Sequence, residues 1–146
     1  MKRNISYKIL PEYNLIIEFS KGSVTATDLQ NLKKEEILDS LYNPNFNFLC
    51  DFRKLESPIN ISSKDRLVEL LYYFKSIGIK SKAAVLTTKP NQVVLAIIMK
   101  NLTTDIIEIS TEPFSTLESA LVFVDCSIDN LSIINDVLAE LDKNTA

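Results

Sequence analysis

Residues 46–52 read Phe-Asn-Phe-Leu-Cys-Asp-Phe, a short stretch in which apolar residues alternate. Side chains point to opposite faces of a β-strand in turn, so Phe46, Phe48, Cys50 and Phe52 share one face. Four apolar side chains on one face need a covering layer. The stretch therefore predicts a buried strand, and the segments beside it indicate what covers it.

Both neighbouring segments have helical periodicity. After the strand, apolar residues recur at the spacing of one helix face, at Leu67, Leu70, Leu71 and Phe74, which predicts a helix over about 62–77. Before it, a helix is predicted over about 25–41, with Thr25 and Thr27 as candidate N-caps and with Thr27 and Gln30 in the pattern of a capping box. The inward residues of that helix are predicted to be Leu29, Leu32, Ile37, Leu38 and Leu41. Its block 33–36, Lys-Lys-Glu-Glu, is interpreted as a solvated face.

The remaining segments continue the alternation outward. The further predicted elements are a hairpin of strands 7–10 and 15–19, a strand 83–87, a helix 90–102, a strand 105–109, a helix from 115 and a terminal helix of about 128–142. Helices that alternate with short apolar strands favour a parallel sheet. The predicted fold class is α/β: one domain with a mixed, mainly parallel sheet, an N-terminal antiparallel hairpin and covering helices. The core spans about residues 5–125, and the C-terminal helix is an addition.

Composition excludes several classes of function. Lys plus Arg is 16 and Asp plus Glu is 19, a net charge of −3, which argues against nucleic-acid binding. The chain has no histidine, so histidine-based catalysis and histidine-ligated zinc are excluded. Its two isolated glycines form no phosphate-binding loop. We therefore predict no catalytic residues, no metal site and no cofactor.

The sequence shows no secretory signal and no membrane-spanning run, which predicts a cytoplasmic protein. No apolar stretch follows the N-terminal cations Lys2 and Arg3, as a secretory signal would require. The longest apolar run, Val93–Met99, is far shorter than the roughly 20 residues of a membrane-spanning helix. Cys50 and Cys126 lack metal or disulfide spacing and are predicted to be small buried apolar residues.

The order of elements and a set of dispersed residues carry a family likeness. Those residues are Tyr7, Asn14-Leu15, Gly22, Asp28-Leu29, Phe46-Asn47, Asp51-Phe52-Arg53, Pro90, Phe114, Glu118 and Ala120. With them the chain resembles the STAS fold of anti-sigma-factor antagonists, and more closely the uncharacterised bacterial SpoIIAA-like proteins, described as STAS/SEC14-like. The resemblance implies a non-catalytic module that binds a protein partner.

The resemblance also implies a candidate phosphorylation site. Many STAS domains are switched by phosphorylation of a serine where the helix after the third strand begins, and here Ser62 and Ser63 occupy that place. Family members with the switch usually carry Asp-Ser followed closely by Gly, whereas Ile61 precedes Ser62 here. A phosphate at this position would meet the free N–H groups of a helix start. The alternative is that Ser62 caps the helix.

Asp51 and Arg53 form a second candidate site. They lie where a strand leaves the sheet, and ligands of open α/β sheets collect beyond such strand ends. Alternation puts both on one side, so they are predicted to form an ion pair. The pair either borders a pocket or holds the following loop in place.

Two apolar helix surfaces are candidate interfaces. The run Val93–Met99 surrounds its helix with apolar residues, so the flank at Val93, Ala96, Ile97 and Lys100 needs a cover. That cover is a second subunit, the chain's own tail or an apolar ligand. In the terminal helix, Leu131, Ile134, Leu138 and Leu141 have the three-four-three spacing of helix pairing. They pack either on their own domain or across a dimer.

Three functions follow from these patterns. The first is a regulatory, protein-binding module that acts as a homodimer. The second is a carrier or sensor of an apolar small molecule, which requires a cavity of roughly 300–1,000 Å³. The third is an enzyme that uses Asp51, Arg53 or Lys82.

Overall fold

The computed structural model describes residues 4–57, 64–76, 78 and 80–145. The strands and helices follow the predicted order. They are β1 Ile5–Leu10, β2 Leu15–Ser23, α1 Ala26–Leu38, β3 Asn47–Ser57, α2 Lys64–Ser76, β4 Lys80–Leu86, α3 Pro90–Ile106, β5 Glu108–Phe114, α4 Leu117–Phe123 and α5 Leu131–Lys143. None of the helices in this described part is long and apolar enough to cross a membrane.

The five strands form one mixed sheet in the order β1-β2-β3-β4-β5. β1 and β2 are an antiparallel hairpin, and each later strand runs parallel to its neighbour. Asn14 closes the hairpin at a φ of 51°, a left-handed conformation that asparagine tolerates. Right-handed crossovers between successive parallel strands place α1, α2 and α3 on one face. α4 and α5 cover the other face, and the predicted α/β fold class is confirmed.

Each face of the sheet has its own apolar core. Phe46, Phe48, Cys50 and Phe52 pack together beneath α1 and α3, as the alternation in residues 46–52 predicted. The side chains between them point to the other face, where Leu49 packs with residues of α4 and α5. Cys126 is also buried on that side, and both cysteines are free thiols.

The terminal helix α5 packs on its own sheet. Ile134, Leu138 and Leu141 are buried in the same cluster as Ile17 of β2, and Leu131 packs against that cluster while half-buried. Of the two alternatives for this three-four-three seam, the structure shows packing within the chain. The seam is therefore not available as a dimer contact, because the chain's own sheet already covers it.

The boundary between α3 and β5 differs from the prediction. A strand was expected over 105–109, but α3 continues to Ile106 and β5 begins at Glu108. The Thr103 hydroxyl donates to the Lys100 carbonyl at 3.0 Å, so a β-branched residue is accommodated inside the helix. β5 is an edge strand that carries Pro113, and it has too few apolar residues to show a strand pattern.

Helix α1 begins after Thr25, one of its two predicted N-caps, but its capping box and its end differ from the prediction. The capping box is formed by Thr25 and Asp28, not by Thr27 and Gln30: Asp28 N donates to Thr25 Oγ1 at 3.1 Å and Thr25 N donates to Asp28 Oδ2 at 2.9 Å. The helix ends at Leu38, three residues early. Leu38 is 85% exposed and Leu41 is 51% exposed, so neither faces inward as expected.

Candidate functional site

A glutamate interrupts the apolar strand β2. Glu18 follows Leu15-Ile16-Ile17, and the alternation of side chains places it on the same face as Ile16, beneath α1. It is buried, at 3% exposed. A carboxylate in apolar surroundings is costly unless it is paired and hydrogen-bonded, so Glu18 needs partners from the covering helix.

Helix α1 supplies those partners. Lys33 Nζ donates to Glu18 Oε1 and lies 3.5 Å from Glu36 Oε2. Lys33 and Glu36 are three residues apart and so share one helix face. The Lys33 ammonium also lies 4.1 Å from the centre of the Phe48 ring. Cys50 Sγ donates to Glu18 Oε2 at 3.5 Å. We name Glu18, Lys33, Glu36 and Cys50 the buried charge cluster.

The cluster separates the protonation states of its two carboxyl groups. Burial raises the pKa of Glu36 well above its ordinary value, and the Glu18 carboxylate raises it further. Burial also acts to raise the pKa of Glu18, but Lys33 and a hydrogen bond with Glu36 lower that pKa by more. For Lys33, burial lowers the pKa while both glutamates raise it by more. Of the two carboxyl groups, Glu36 is thus the one that keeps its proton more readily, while Glu18 pairs with the Lys33 ammonium.

The surroundings of the Glu36 side chain also favour its protonated, neutral form. Glu36 is 1% exposed, and its Oε1 has no hydrogen-bond partner among the described residues. A buried oxygen without a partner costs less on a neutral carboxylic acid than on an ionised one. Burial and the neighbouring charge likewise raise the pKa of the Cys50 thiol, so Cys50 stays protonated and donates to Glu18.

We expect Glu36→Gln to flatten the pH dependence of stability. The pKa of Glu36 in the folded chain lies above the reference value of 4.5. At a pH between these two pKa values, the folded chain therefore binds a proton that the unfolded chain has released. The stabilisation that this proton gives is complete below pH 4.5 and is lost as the pH rises through the folded-state pKa of Glu36. One such proton lowers the free energy of unfolding by up to about 1.4 kcal/mol per pH unit. Glutamine resembles the neutral acid and removes this slope.

Urea denaturation between about pH 5.5 and about pH 8 measures the slope, below the range in which thiols and tyrosines ionise. The matched control is Glu140→Gln, because Glu140 is an exposed glutamate on α5. The control should keep the native slope. Equal slopes in the native chain and in Glu36→Gln would show that Glu36 is ionised in the folded state.

The interpretation of residues 33–36 as a solvated face was wrong for half of the block. Lys34 is exposed, but Lys33 is only 16% exposed in its side chain and Glu36 is buried. The sequence signal was Glu18, a charged residue on the inward side of an apolar strand. A buried carboxylate calls for a cation nearby, and the next helix supplies one.

An apolar cavity of about 100 Å³ adjoins the buried charge cluster. Its floor is the sheet, from Glu18 on β2 to Thr111 on β5, and its roof is α2, through Leu71 and Phe74. α1 and α3 form its sides. We name it the α2 cavity. It is smaller than the range of roughly 300–1,000 Å³ for ligand pockets in general, so a carrier of lipid-sized molecules is disfavoured.

Asp51 and Arg53 form the predicted ion pair. Arg53 Nε donates to Asp51 Oδ1 at 3.0 Å, and Arg53 Nη2 donates to Asp51 Oδ2 at 2.8 Å. Arg53 N also donates to Asp51 Oδ1, at 3.1 Å. The pair lies on the α4–α5 side of β3, away from the α2 cavity. Both residues lie within β3, which continues to Ser57 instead of ending near residue 52, so neither of the two roles predicted for a strand end is confirmed.

Sequence reasoning missed Gln92, which joins β3 to the loop before α3. Gln92 Nε2 donates to the carbonyls of Arg53 and Leu55, at 3.2 and 3.0 Å. Its Oε1 accepts from Thr88 N at 2.8 Å and from Lys89 N at 3.1 Å. β3 extends past the end of β4, so this buried amide replaces the missing neighbour strand. No local pattern marks it, because its partners are distant in sequence.

Lys82 does not share a site with Asp51 and Arg53. Lys82 precedes Ala83, which pairs with Phe48 of β3. Asp51 pairs with Leu86, which is four residues further along β4 than Lys82. Four residues along a strand correspond to about 13 Å. Lys82 Nζ instead lies 3.1 Å from Asp125 Oδ2. The three candidate catalytic residues are thus paired at two separate places.

The α3 flank differs in part from its prediction. Ala96 is fully buried against the sheet, so its placement on an outer interface was wrong. Val93 is half-buried, and Lys100 Nζ pairs with Glu112 Oε1 at 2.6 Å. Ile97 remains 44% exposed. Val94, three residues before Ile97 on α3, is 56% exposed, so an apolar flank remains on this helix with different residues from those predicted.

Ser62 and Ser63 lie outside the described residues, so the predicted phosphorylation site stays a prediction. Within the ranges that are described, no three side chains of His, Cys, Asp or Glu are grouped to hold a metal ion.

A groove of about 480 Å³ runs along the outer surface between α1 and α2. Its apolar lining is Ile37, Leu38 and Tyr73, and its polar lining is Gln30, Lys34 and Glu69. Tyr73 is 46% exposed beside the strongly exposed Leu38. We name this surface the α1–α2 groove.

The comparisons with known proteins bear on the fold. No family model matches the chain. No curated protein matches it either. Among solved structures, an uncharacterised protein of the DUF3478 family from Shewanella loihica, described as having a SpoIIAA-like fold, matches with a TM-score of 0.56 and 16% identity. The match covers 85% of this chain and 95% of that one. With its mixed sheet and element order, the chain has a SpoIIAA-like fold.

Proposed function

We propose that the chain is a non-catalytic, protein-binding module that acts as a homodimer joined through the α1–α2 groove. The observation that carries this proposal is the exposure of Leu38 beside Tyr73. Leaving one leucine side chain in water forgoes about 1.5–3 kcal/mol of burial. Grouped exposed apolar side chains with a polar rim are typical of protein-binding surfaces.

Two further exposed residues are close in sequence to the groove lining. Leu41 follows the end of α1 and Tyr72 precedes Tyr73, and they are 51% and 57% exposed. Tyrosine is among the residues that supply most of the binding energy at the centre of an interface. The surface is thus suited to bury an anchor such as Leu38 against a facing copy.

The charges of the groove support a second copy as the partner. A two-fold interface brings the same patch together twice, so its charges must complement themselves. Lys34 and Glu69 line one groove with opposite signs. In a two-fold contact, Lys34 of each copy can face Glu69 of the other.

The paired state of the ionisable groups supports a role without catalysis. In the buried charge cluster, Lys33 is bonded to Glu18, and Arg53 holds Asp51 on the other side of the sheet.

Native mass spectrometry at micromolar concentration tests the proposal. The expected mass is that of two chains, and Leu38→Asp should weaken the association about tenfold or more. The matched control is Val122→Asp, since Val122 is 65% exposed on α4, across the sheet. Lys34→Glu should also weaken the dimer, and adding Glu69→Lys should restore it.

Two results would overturn this assignment. A single-chain mass for the native protein removes the homodimer. Dissociation by Ile97→Asp, with no effect of Leu38→Asp, moves the contact to α3. Folding of each variant is checked by its thermal transition, so that loss of the dimer is distinguished from loss of the fold.

A further inference from the structure

We propose that the α2 cavity binds one small, uncharged, apolar molecule about the size of a benzene ring. This site is separate from the proposed dimer contact, because it lies on the inner side of α2, between that helix and the sheet.

The polar groups of the cavity wall set the chemical class of the ligand. Lys33 and Cys50 both donate to Glu18, so the two polar groups beside Glu18 are engaged. At the opposite end, Thr103 Oγ1 lies 3.4 Å from Thr111 Oγ1 and donates to the Lys100 carbonyl. Each of these polar groups is bonded within the protein. A charged or strongly hydrogen-bonding ligand would lose its hydration without gaining partners.

The remaining wall is apolar. Phe48 and Phe52 of β3 and Leu71 and Phe74 of α2 face the same space. A cavity with such a lining stays free of water, because a buried water needs two to four polar partners, and it takes up small hydrocarbons instead.

The volume sets the size of the ligand. A cavity of about 150 Å³ in another protein holds benzene. The α2 cavity measures about 100 Å³. Because it is smaller than that cavity, a single five- or six-membered ring or a short branched alkyl group is the largest ligand that we assign to it, and an acyl chain is excluded.

The packing of α2 explains why the space stays open. Leu71 and Phe74 form a cluster with Ile107 and with half-buried residues of α1 and α3. α2 thus rests on its two neighbouring helices. Beneath it the floor has the small side chain of Ala83. The side chain of Ala83 is too short to reach α2, so the space between them stays open.

Fluorine NMR with three matched probes tests the site. Fluorobenzene should bind with a saturable shift and a stoichiometry of one per chain. The charged analogues 4-fluorobenzoate and 4-fluorobenzylammonium should show at least about tenfold weaker binding. Equal binding of either charged probe would overturn the assigned class.

Two variants locate the probe. Ala83→Leu fills the floor and should weaken fluorobenzene binding at least about tenfold, whereas Ala139→Leu, at an exposed position of α5, should leave it unchanged. Leu71→Ala enlarges the roof and should improve binding of the longer 1-ethyl-4-fluorobenzene, which keeps the test decisive where Ala83→Leu does not fold. Unchanged binding in both cavity variants would place the probe elsewhere and overturn the site.

Discussion

Lys33→Ala is expected to lower the free energy of unfolding by about 3–5 kcal/mol at neutral pH, because it leaves the Glu18 carboxylate buried without its cation. The ammonium contacts both glutamates of the buried charge cluster and the face of the Phe48 ring. Removing one partner of a buried pair is much more costly than removing the whole pair. Urea denaturation of the folded protein measures the change.

The matched control is Lys75→Ala. Lys75 is an exposed lysine in the last turn of α2, where its charge favours the helix end by less than about 1 kcal/mol. A triple variant, Glu18→Leu, Lys33→Met and Glu36→Leu, should regain most of the loss, since it removes every charge of the cluster together. Similar losses for Lys33→Ala and Lys75→Ala would contradict the buried pairing of Lys33.

Ile134→Ala is expected to cost about 2–5 kcal/mol, because it leaves a cavity between α5 and the sheet. Ile134 is completely buried, whereas the adjacent Ile133 is 48% exposed. Ile133→Ala is therefore an ideal control, with the same chemical change on the same helix, and should cost less than about 1 kcal/mol. Thermal and urea unfolding of the two variants give the comparison.

Ending the chain at Asn130 extends this prediction to the whole helix. It removes Ile134, Val137, Leu138 and Leu141 and uncovers the sheet residues beneath them. Each buried side chain is worth about 1.5–3 kcal/mol, and a domain has only about 5–15 kcal/mol in total. The shortened chain should show no cooperative transition. A folded product of normal stability would mean that α5 is a dispensable addition to the core.

The element order was predictable because burial imposes a regular spacing on each element. Residues 46–52 have both faces of their strand covered, and the alternation identified the correct face for Phe46 to Phe52. The bounds of β5 were misplaced because an edge strand is only partly covered and carries few apolar residues. The early end of α1 was not predicted, because Leu38 and Leu41 are apolar and were therefore expected to be buried on the inner face of the helix, whereas both are exposed.

The buried charge cluster was only partly predictable, for a different reason. Local spacing describes one element at a time, whereas Lys33 and Glu18 are 15 residues apart and meet only in the folded sheet and helix. Gln92 and its partners at Arg53 and Leu55 are separated by still longer intervals. In contrast, Asp51 and Arg53 belong to one strand, and their pairing followed from alternation alone.

The raised pKa of Glu36 makes folding itself a proton-binding reaction. Histidine, the residue that usually responds to mild acidity, is absent from the chain. A glutamic acid enclosed between a helix and a sheet takes over that property, since the compact chain retains a hydrogen ion that the extended chain releases. Glu36 therefore contributes more to the stability of the compact state in mild acid than at higher pH, the reverse of a carboxyl group whose pKa is lowered by folding, such as Asp142.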